Sequence, residues 1–79
     1  MKNELKDRLI IILSEVFPNS ILPDNIDDLK IEDLSDWDSL GNFNLLLAVE
    51  EEFSIRFSLD NFSEVKSVKQ IVDVIERLK

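Results

Sequence analysis

The sequence predicts an all-α fold, a small bundle of three to four helices with a long loop between the first two. Apolar residues recur at intervals of three and four along three separate segments, the spacing that lines one face of a helix. The alternation typical of paired strands is nearly absent, and the 79 residues include 1 Gly and 2 Pro. Hydrophobic residues make up 44% of the chain, which suffices for one core. We therefore expect a single domain over residues 1–79.

The first helix is predicted over residues 4–17. Asn3 is the predicted N-cap, because a short polar side chain can accept a hydrogen bond from the free N–H groups of a first turn. Pro18 is predicted to end the helix, since proline cannot continue its hydrogen bonding. The apolar face of this helix is formed by Leu5, Leu9, Ile12, Leu13 and Val16.

A long loop is predicted from Pro18 to Asp38, where no helical period is sustained. Loops of this length in small domains call for a functional or structural reason. We expect this loop to be held against the core by its scattered apolar residues Ile21, Leu22, Ile26, Leu29, Ile31 and Leu34. Its aspartates do not complete a calcium-binding motif, because the central glycine of that motif is missing.

The second main helix is predicted to begin at Asp38 or Ser39 and to end near Ser54. Its core face is formed by Leu45, Leu46, Val49 and Phe53. A short helical turn is predicted over residues 58–62. A last helix follows Ser67, which forms a capping-box pattern with Gln70. The apolar stripe of this last helix is formed by Val68, Ile71, Val72, Ile75 and Leu78.

The charge of the chain bears on its partners. The formal net charge is -8, from 17 acidic and 9 basic residues. Such a charge repels nucleic acid and attracts proteins with basic surfaces. The N-terminal segment is charged, and its apolar run over residues 9–13 is far shorter than a membrane span. We expect a cytoplasmic monomer that neither spans a membrane nor binds nucleic acid.

The composition also limits the chemistry available to the chain. It contains no His and no Cys, so it lacks the usual neutral-pH base and the thiol nucleophile. Glu50, Glu51 and Glu52 are consecutive on a helix and point in different directions, which favours a solvated face over a catalytic pair. We therefore expect no catalytic activity and no metal site.

Ser39 stands in the segment Asp36-Trp37-Asp38-Ser39-Leu40-Gly41, where the long loop meets the second main helix. A hydroxyl at a helix N-terminus lies near free N–H groups and the positive end of the helix dipole, which favour an added phosphate. The position suits phosphorylation or attachment of a phosphodiester. The alternative is that Ser39 or Asp38 only caps the helix, a contribution of about 1 kcal/mol.

Asp38-Ser39-Leu40 resembles the phosphopantetheine-attachment motif of the acyl carrier proteins. At that family's distance it is followed by a helix that ends in Glu50-Glu51-Glu52-Phe53, and the resemblance extends over essentially the whole chain. It implies an acyl-carrier-type bundle. It also implies that a phosphopantetheinyl transferase, using coenzyme A and magnesium, attaches 4'-phosphopantetheine to Ser39 with Asp38 beside the metal. The arm would carry acyl groups as thioesters, with the cofactor supplying the sulfur.

The resemblance also implies contacts with partner enzymes. In this family the second main helix presents acidic residues to basic patches, which makes Glu50 and Glu51 candidate contacts. The implied partners are an acyl-loading ligase, a ketosynthase or an acyltransferase. Leu40, Phe43 and Leu47 form a second apolar strip on this helix. The strip either widens the core face or contacts a partner enzyme or a bound acyl chain.

The segment after Ser39 departs from the carriers of fatty acid biosynthesis. Gly41, Asn42 and Asn44 stand where those carriers often have acidic residues, so we expect a specialised lipid, polyketide or surface-glycan pathway. With Phe43, these residues are predicted to mark the particular partners.

Two alternatives remain open. The first is an aminoacyl carrier of the D-alanine/teichoic-acid type. Those proteins also have a glycine two residues after the serine and a Leu-rich second helix, although Trp37 is less like them. The second is an acidic protein-interaction module that is never modified.

Overall fold

A computed structural model describes residues 2–78 of the chain. Four helices follow one another along it: α1 (Lys2–Val16), α2 (Ser39–Phe53), α3 (Leu59–Glu64) and α4 (Val68–Leu78). Within residues 2–78 no strand is formed, and Lys30 and Ser67 make an isolated antiparallel bridge. The predicted all-α fold, with three main helices, one short helix and a long loop before α2, is confirmed.

The core lies between α1, α2 and α4, and the long loop closes it. All four residues predicted for the core face of α2 are buried, as are Leu9, Ile12 and Leu13 of α1. Trp37, at the end of the loop, has no exposed surface, a position that the helical pattern does not reveal. Burying one of the aliphatic side chains of α1 or α2 contributes about 1.5–3 kcal/mol relative to leaving it exposed. The core is therefore the main source of stability.

The long loop is held against the core, as its apolar residues predict. Ile26, Leu29 and Leu34 are buried, whereas Ile21 is 91% exposed, so the prediction is wrong for that residue. Ile21 lies near the start of the loop, before the segment that crosses the bundle. The backbone of the loop is also held by hydrogen bonds to the start of α4 and the segment before it. One of these, of 2.9 Å, runs from the Val68 N–H to the Leu29 carbonyl.

Acidic residues of the loop pair with lysines on the neighbouring helices. Lys6 Nζ lies 2.7 Å from Asp27 Oδ1, and Lys69 Nζ lies 3.2 Å from Asp28 Oδ1. Exposed ion pairs of this kind contribute less than about 1 kcal/mol each. In the described part of the chain, no group of three or more acidic side chains is arranged to hold a metal ion.

Two helix ends differ from the sequence prediction. Helix α1 begins at Lys2, so Asn3 lies inside it and the prediction of Asn3 as N-cap is wrong. Because Asn costs less than about 1 kcal/mol inside a helix, its presence does not force a helix to begin there. Helix α3 ends at Glu64, beyond the predicted turn, and it is capped by Ser58 in a reciprocal capping box with Asn61.

The start of α4 matches the prediction and its end does not. Ser67 Oγ accepts a hydrogen bond of 3.2 Å from the Gln70 N–H, while Gln70 Oε1 accepts one of 2.8 Å from the Lys66 N–H. Leu78 belongs to the predicted apolar stripe but is exposed, whereas Val74 is outside the predicted stripe and is buried. The core does not extend as far as the last residue of α4, so Leu78 is only about half covered.

None of the helices within residues 2–78 has the length and apolar character needed to cross a membrane.

The C-cap of α2 generates a stability prediction. Ser54 adopts left-handed angles (φ 55°, ψ 46°), which cost an L-residue free energy that glycine avoids. We expect Ser54→Gly to raise the free energy of unfolding by about 0.5–1 kcal/mol in urea titrations followed by circular dichroism. The control is Ser63→Gly in the right-handed turn of α3, which should lower it by about 0.5 kcal/mol. A destabilised Ser54→Gly variant would contradict the left-handed conformation of Ser54 at the C-cap of α2.

Candidate functional site

Ser39 is the first residue of α2, and its side chain is exposed. The residue before it, Asp38, is the N-cap: its Oδ1 accepts a hydrogen bond of 2.8 Å from the Gly41 N–H. Asp38 has extended backbone angles, as an N-cap requires, and its carbonyl accepts from the Asn42 N–H at 2.7 Å. Capping is therefore done by Asp38. No hydrogen bond within residues 2–78 engages the Ser39 hydroxyl.

The surroundings of the Ser39 oxygen suit a phosphate ester. The N–H groups of Ser39 and Leu40 are the first two of α2, and helix geometry provides no carbonyl partner for them. Together with the helix dipole they favour negative charge at this point. Because Ser39 is exposed, an attached group extends into solvent without displacing any part of the core.

Behind Ser39, the inner side of the same helical turn is built around Trp37. Its ring stacks on Phe17, with centroids 5.9 Å apart. Its Nε1–H donates a hydrogen bond of 2.9 Å to Asn42 Oδ1, and Asn42 Nδ2 donates one of 2.9 Å to the Val65 carbonyl. Asn42 is only 3% exposed, so both its polar atoms are buried and satisfied.

The interpretation of Asn42 as a partner-marking residue is therefore wrong. Its side chain is used inside the protein, where it joins Trp37 to Val65. A signal for this exists in the sequence, because Asn42 precedes Leu45 by three residues and Leu46 by four, which places it on the core face of α2. The position was missed because asparagine is polar and a pattern of apolar residues does not include it.

Gly41 also faces the interior, and its interpretation as a partner-marking residue is wrong as well. A Cβ atom at this position would collide with the backbone carbonyl oxygen of Asp36 and lie 3.0 Å from the Phe17 ring. Glycine is therefore needed so that the first turn of α2 can approach the end of the loop. Asn44 is exposed, as that interpretation requires.

The predicted apolar strip, Leu40, Phe43 and Leu47, lies on the outer side of α2. These side chains are 69%, 47% and 42% exposed, so the alternative that they widen the core face is wrong. Phe43 contacts Phe62 of α3, with ring centroids 5.1 Å apart. The strip thus begins beside Ser39 and continues along the side of α2 that adjoins α3.

The three consecutive glutamates near the end of α2 have different surroundings. Glu51 is exposed, whereas Glu50 is half-buried and its Oε2 accepts a hydrogen bond of 2.6 Å from the Phe57 N–H. Glu52 pairs with Arg8 of α1 at 2.8 Å. Of the two predicted partner contacts, Glu51 is the more accessible, while Glu50 also fixes the segment that follows α2.

The fold and site together define a small helical protein that exposes a serine hydroxyl at the start of its second helix, beside an apolar strip. The chain is 36% identical over 76 residues to the acyl carrier protein of Coprothermobacter proteolyticus, an alignment that covers 96% of this chain and 82% of that protein. No protein-family model matches the chain, and no solved structure matches it significantly. The identity and coverage show that the chain belongs to the acyl carrier protein family.

The close packing at Gly41 generates a prediction. In an open helix, replacing glycine with alanine stabilises by about 1 kcal/mol. We expect Gly41→Ala instead to lower the free energy of unfolding by about 1–3 kcal/mol, because the added Cβ meets the Asp36 carbonyl. Thermal and urea unfolding would measure the change. The control is Asn44→Ala, at an exposed position of α2, which should leave stability unchanged or raise it; a stabilised Gly41→Ala variant would contradict the packing argument.

Proposed function

We propose that this protein is a single-domain carrier that holds acyl groups as thioesters on a 4'-phosphopantetheine arm attached to Ser39, without catalytic activity of its own. The observation that supports the proposal best is the exposed Ser39 hydroxyl, which is unengaged within residues 2–78 and begins α2 in the family's motif. Membership of the acyl carrier protein family gives the proposal its class of cargo.

The attachment step follows from the exposed hydroxyl. Ser39 Oγ attacks the phosphorus next to the pantetheine half of coenzyme A and forms a new phosphodiester bond. The bond from that phosphorus to the bridging oxygen of the pyrophosphate breaks, and adenosine bisphosphate leaves with the bond electrons. The hydroxyl proton passes to a base of the transferase. Free N–H groups of the first turn of α2 then face the phosphate.

Asp38 has two oxygens with different uses in this proposal. Its Oδ1 caps α2 through the Gly41 N–H, which fixes the carboxylate beside Ser39. Its Oδ2 makes no hydrogen bond within residues 2–78 and Asp38 is exposed, so this oxygen can reach a magnesium ion held by the transferase. Capping and metal placement are therefore compatible.

The chain relies on the arm for its reactive sulfur. It contains no Cys. The thiol of phosphopantetheine, when attached, supplies the sulfur that is acylated to form the thioester. The contribution of the protein is the attachment oxygen and a surface that partner enzymes recognise.

We propose that the recognition surface combines the apolar strip (Leu40, Phe43 and Leu47) with Glu50 and Glu51. The strip supplies contact area next to Ser39, and the acidic residues lie further along α2. A partner that fits has an apolar pocket flanked by basic residues, and the net charge of -8 favours its approach. The phosphopantetheinyl transferase, an acyl-loading ligase, a ketosynthase and an acyltransferase of a specialised lipid, polyketide or surface-glycan pathway are the proposed partners.

The aminoacyl alternative loses one of its supports. Its similarity rested partly on a glycine two residues after the serine, and Gly41 is required by packing against Asp36 and Phe17. That glycine therefore gives no information about cargo. The other similarity to those proteins, the Leu-rich second helix, includes the core residues Leu45 and Leu46.

Mass spectrometry tests the attachment site. After incubation with coenzyme A, magnesium and a broad-specificity transferase, we expect the wild-type chain to gain the mass of one phosphopantetheine. Ser39→Ala removes the nucleophilic oxygen and should gain nothing, whereas the control Ser35→Ala, at an exposed loop serine, should be modified fully. A wild-type chain that no transferase modifies would favour the unmodified interaction module.

A second prediction concerns the apolar strip. Phe43→Ala and Leu47→Ala each remove exposed contact area, so we expect kcat/KM for modification or acyl loading to fall about tenfold. The free energy of unfolding should change by less than about 1.5 kcal/mol, because these side chains are partly exposed and Phe43 makes one aromatic contact. The control is Ile11→Ala on α1, which is also exposed. Unchanged kcat/KM with reduced stability would show that the strip is structural only.

A further inference from the structure

The polar contacts behind Ser39 connect three parts of the chain. Asn42 accepts from Trp37 Nε1 and donates to the Val65 carbonyl, each at 2.9 Å. Trp37 belongs to the end of the long loop, Asn42 to the first turn of α2, and Val65 to the connection between α3 and α4. Asn42 therefore fixes the turn that carries Ser39 against both of its neighbouring segments.

Two backbone hydrogen bonds close these contacts into a ring. The Glu32 N–H donates to the Trp37 carbonyl at 2.7 Å, and the Ile31 N–H donates to the Lys66 carbonyl at 2.7 Å. Because Ile31 adjoins Glu32 and Lys66 adjoins Val65 in the chain, these hydrogen bonds form a closed ring through the loop, α2 and the α3–α4 connection. The link between Trp37 and Val65 is made by the side-chain amide of Asn42, whereas the other two hydrogen bonds join backbone groups.

The amide is difficult to replace because it is buried. Asn42 is 3% exposed and Trp37 has no exposed surface, so the indole N–H has no water available if its acceptor is removed. The loop, the first turn of α2 and the α3–α4 connection would then shift relative to one another. A shift of that turn moves Ser39, which lies three residues before Asn42.

We infer that Asn42 is a positioning residue for the modification of Ser39, acting through the first turn of α2. This inference rests on the proposed function. Asn42 touches neither the reacting oxygen nor a partner enzyme; it sets the direction in which the Ser39 hydroxyl meets the phosphorus of coenzyme A. The bonds that form and break are those of the attachment step given above.

Positioning and stability affect different kinetic constants. A nucleophile displaced by about 1 Å can slow group transfer up to about 100-fold, and this loss appears in kcat. Leu47 and Glu51 lie in later turns of α2, away from the buried amide, so we expect most of the proposed binding surface to stay in place. A residue with a structural role alone lowers the folded fraction, which raises the apparent KM and leaves kcat unchanged.

The test measures transferase kinetics on the full chain. Asn42→Leu keeps the branching of the side chain but replaces both polar atoms with methyl groups, and we expect kcat to fall about tenfold or more while KM stays within about twofold. Asn42→His, assayed at pH 8 where the imidazole is neutral, places Nδ1 where Asn42 Oδ1 accepts from Trp37 Nε1, while its Nε2–H lies one bond further out than the lost amide N–H, so it should restore kcat in part. The matched control Asn44→Leu, at an exposed asparagine of α2, should keep the wild-type kcat.

Each outcome bears on the inference. If Asn42→Leu is too unstable to assay, Trp37→Phe removes the indole donor of the same hydrogen bond, and its kcat should fall while Asn42→His retains activity. An unchanged kcat with a raised KM, or Asn42→His no better than Asn42→Leu, would overturn the inference and leave the proposed function intact. A wild-type chain that gains no phosphopantetheine would overturn both.

Discussion

The burial of Trp37 is the constraint on which the arrangement around Ser39 depends. An indole with no exposed surface must satisfy its N–H inside the protein, and it does so on Asn42. That bond brings the end of the loop against the first turn of α2, where Phe17 packs on the indole and only a glycine fits at position 41. The exposed serine is thus attached to a closely packed part of the bundle.

The two sides of α2 consequently have separate tasks. The inner side carries Gly41, Asn42 and the leucines and valine of the core, and substitutions there act through packing. The outer side carries Ser39, the apolar strip and Glu51, which are exposed beside the short helix α3. A carrier needs this division, because its attachment oxygen must be accessible while the helix that bears it stays fixed.

Most of the fold follows from apolar spacing. The core residues of α1 and α2 and the short helix after α2 were all predictable from the 3.6-residue period and capping chemistry. The errors at Asn3, Ile21 and Leu78 occur at helix and loop ends, where the number of neighbours decides burial and local pattern does not. Gly41 and Asn42 were misjudged because they stand where the carriers of fatty acid biosynthesis often have acidic residues, whereas contacts across the chain place them inside.

By itself the sequence determined the helices, the acidic charge and the position of Ser39 at the start of α2, because these depend on neighbours within a few residues. Only the tertiary structure decided that Leu40, Phe43 and Leu47 remain exposed and that Asn42 is buried. The physical reason is that burial and hydrogen-bond partnership depend on segments distant in sequence. Asn42 and Val65 are 23 residues apart, and their contact exists only once the chain has folded.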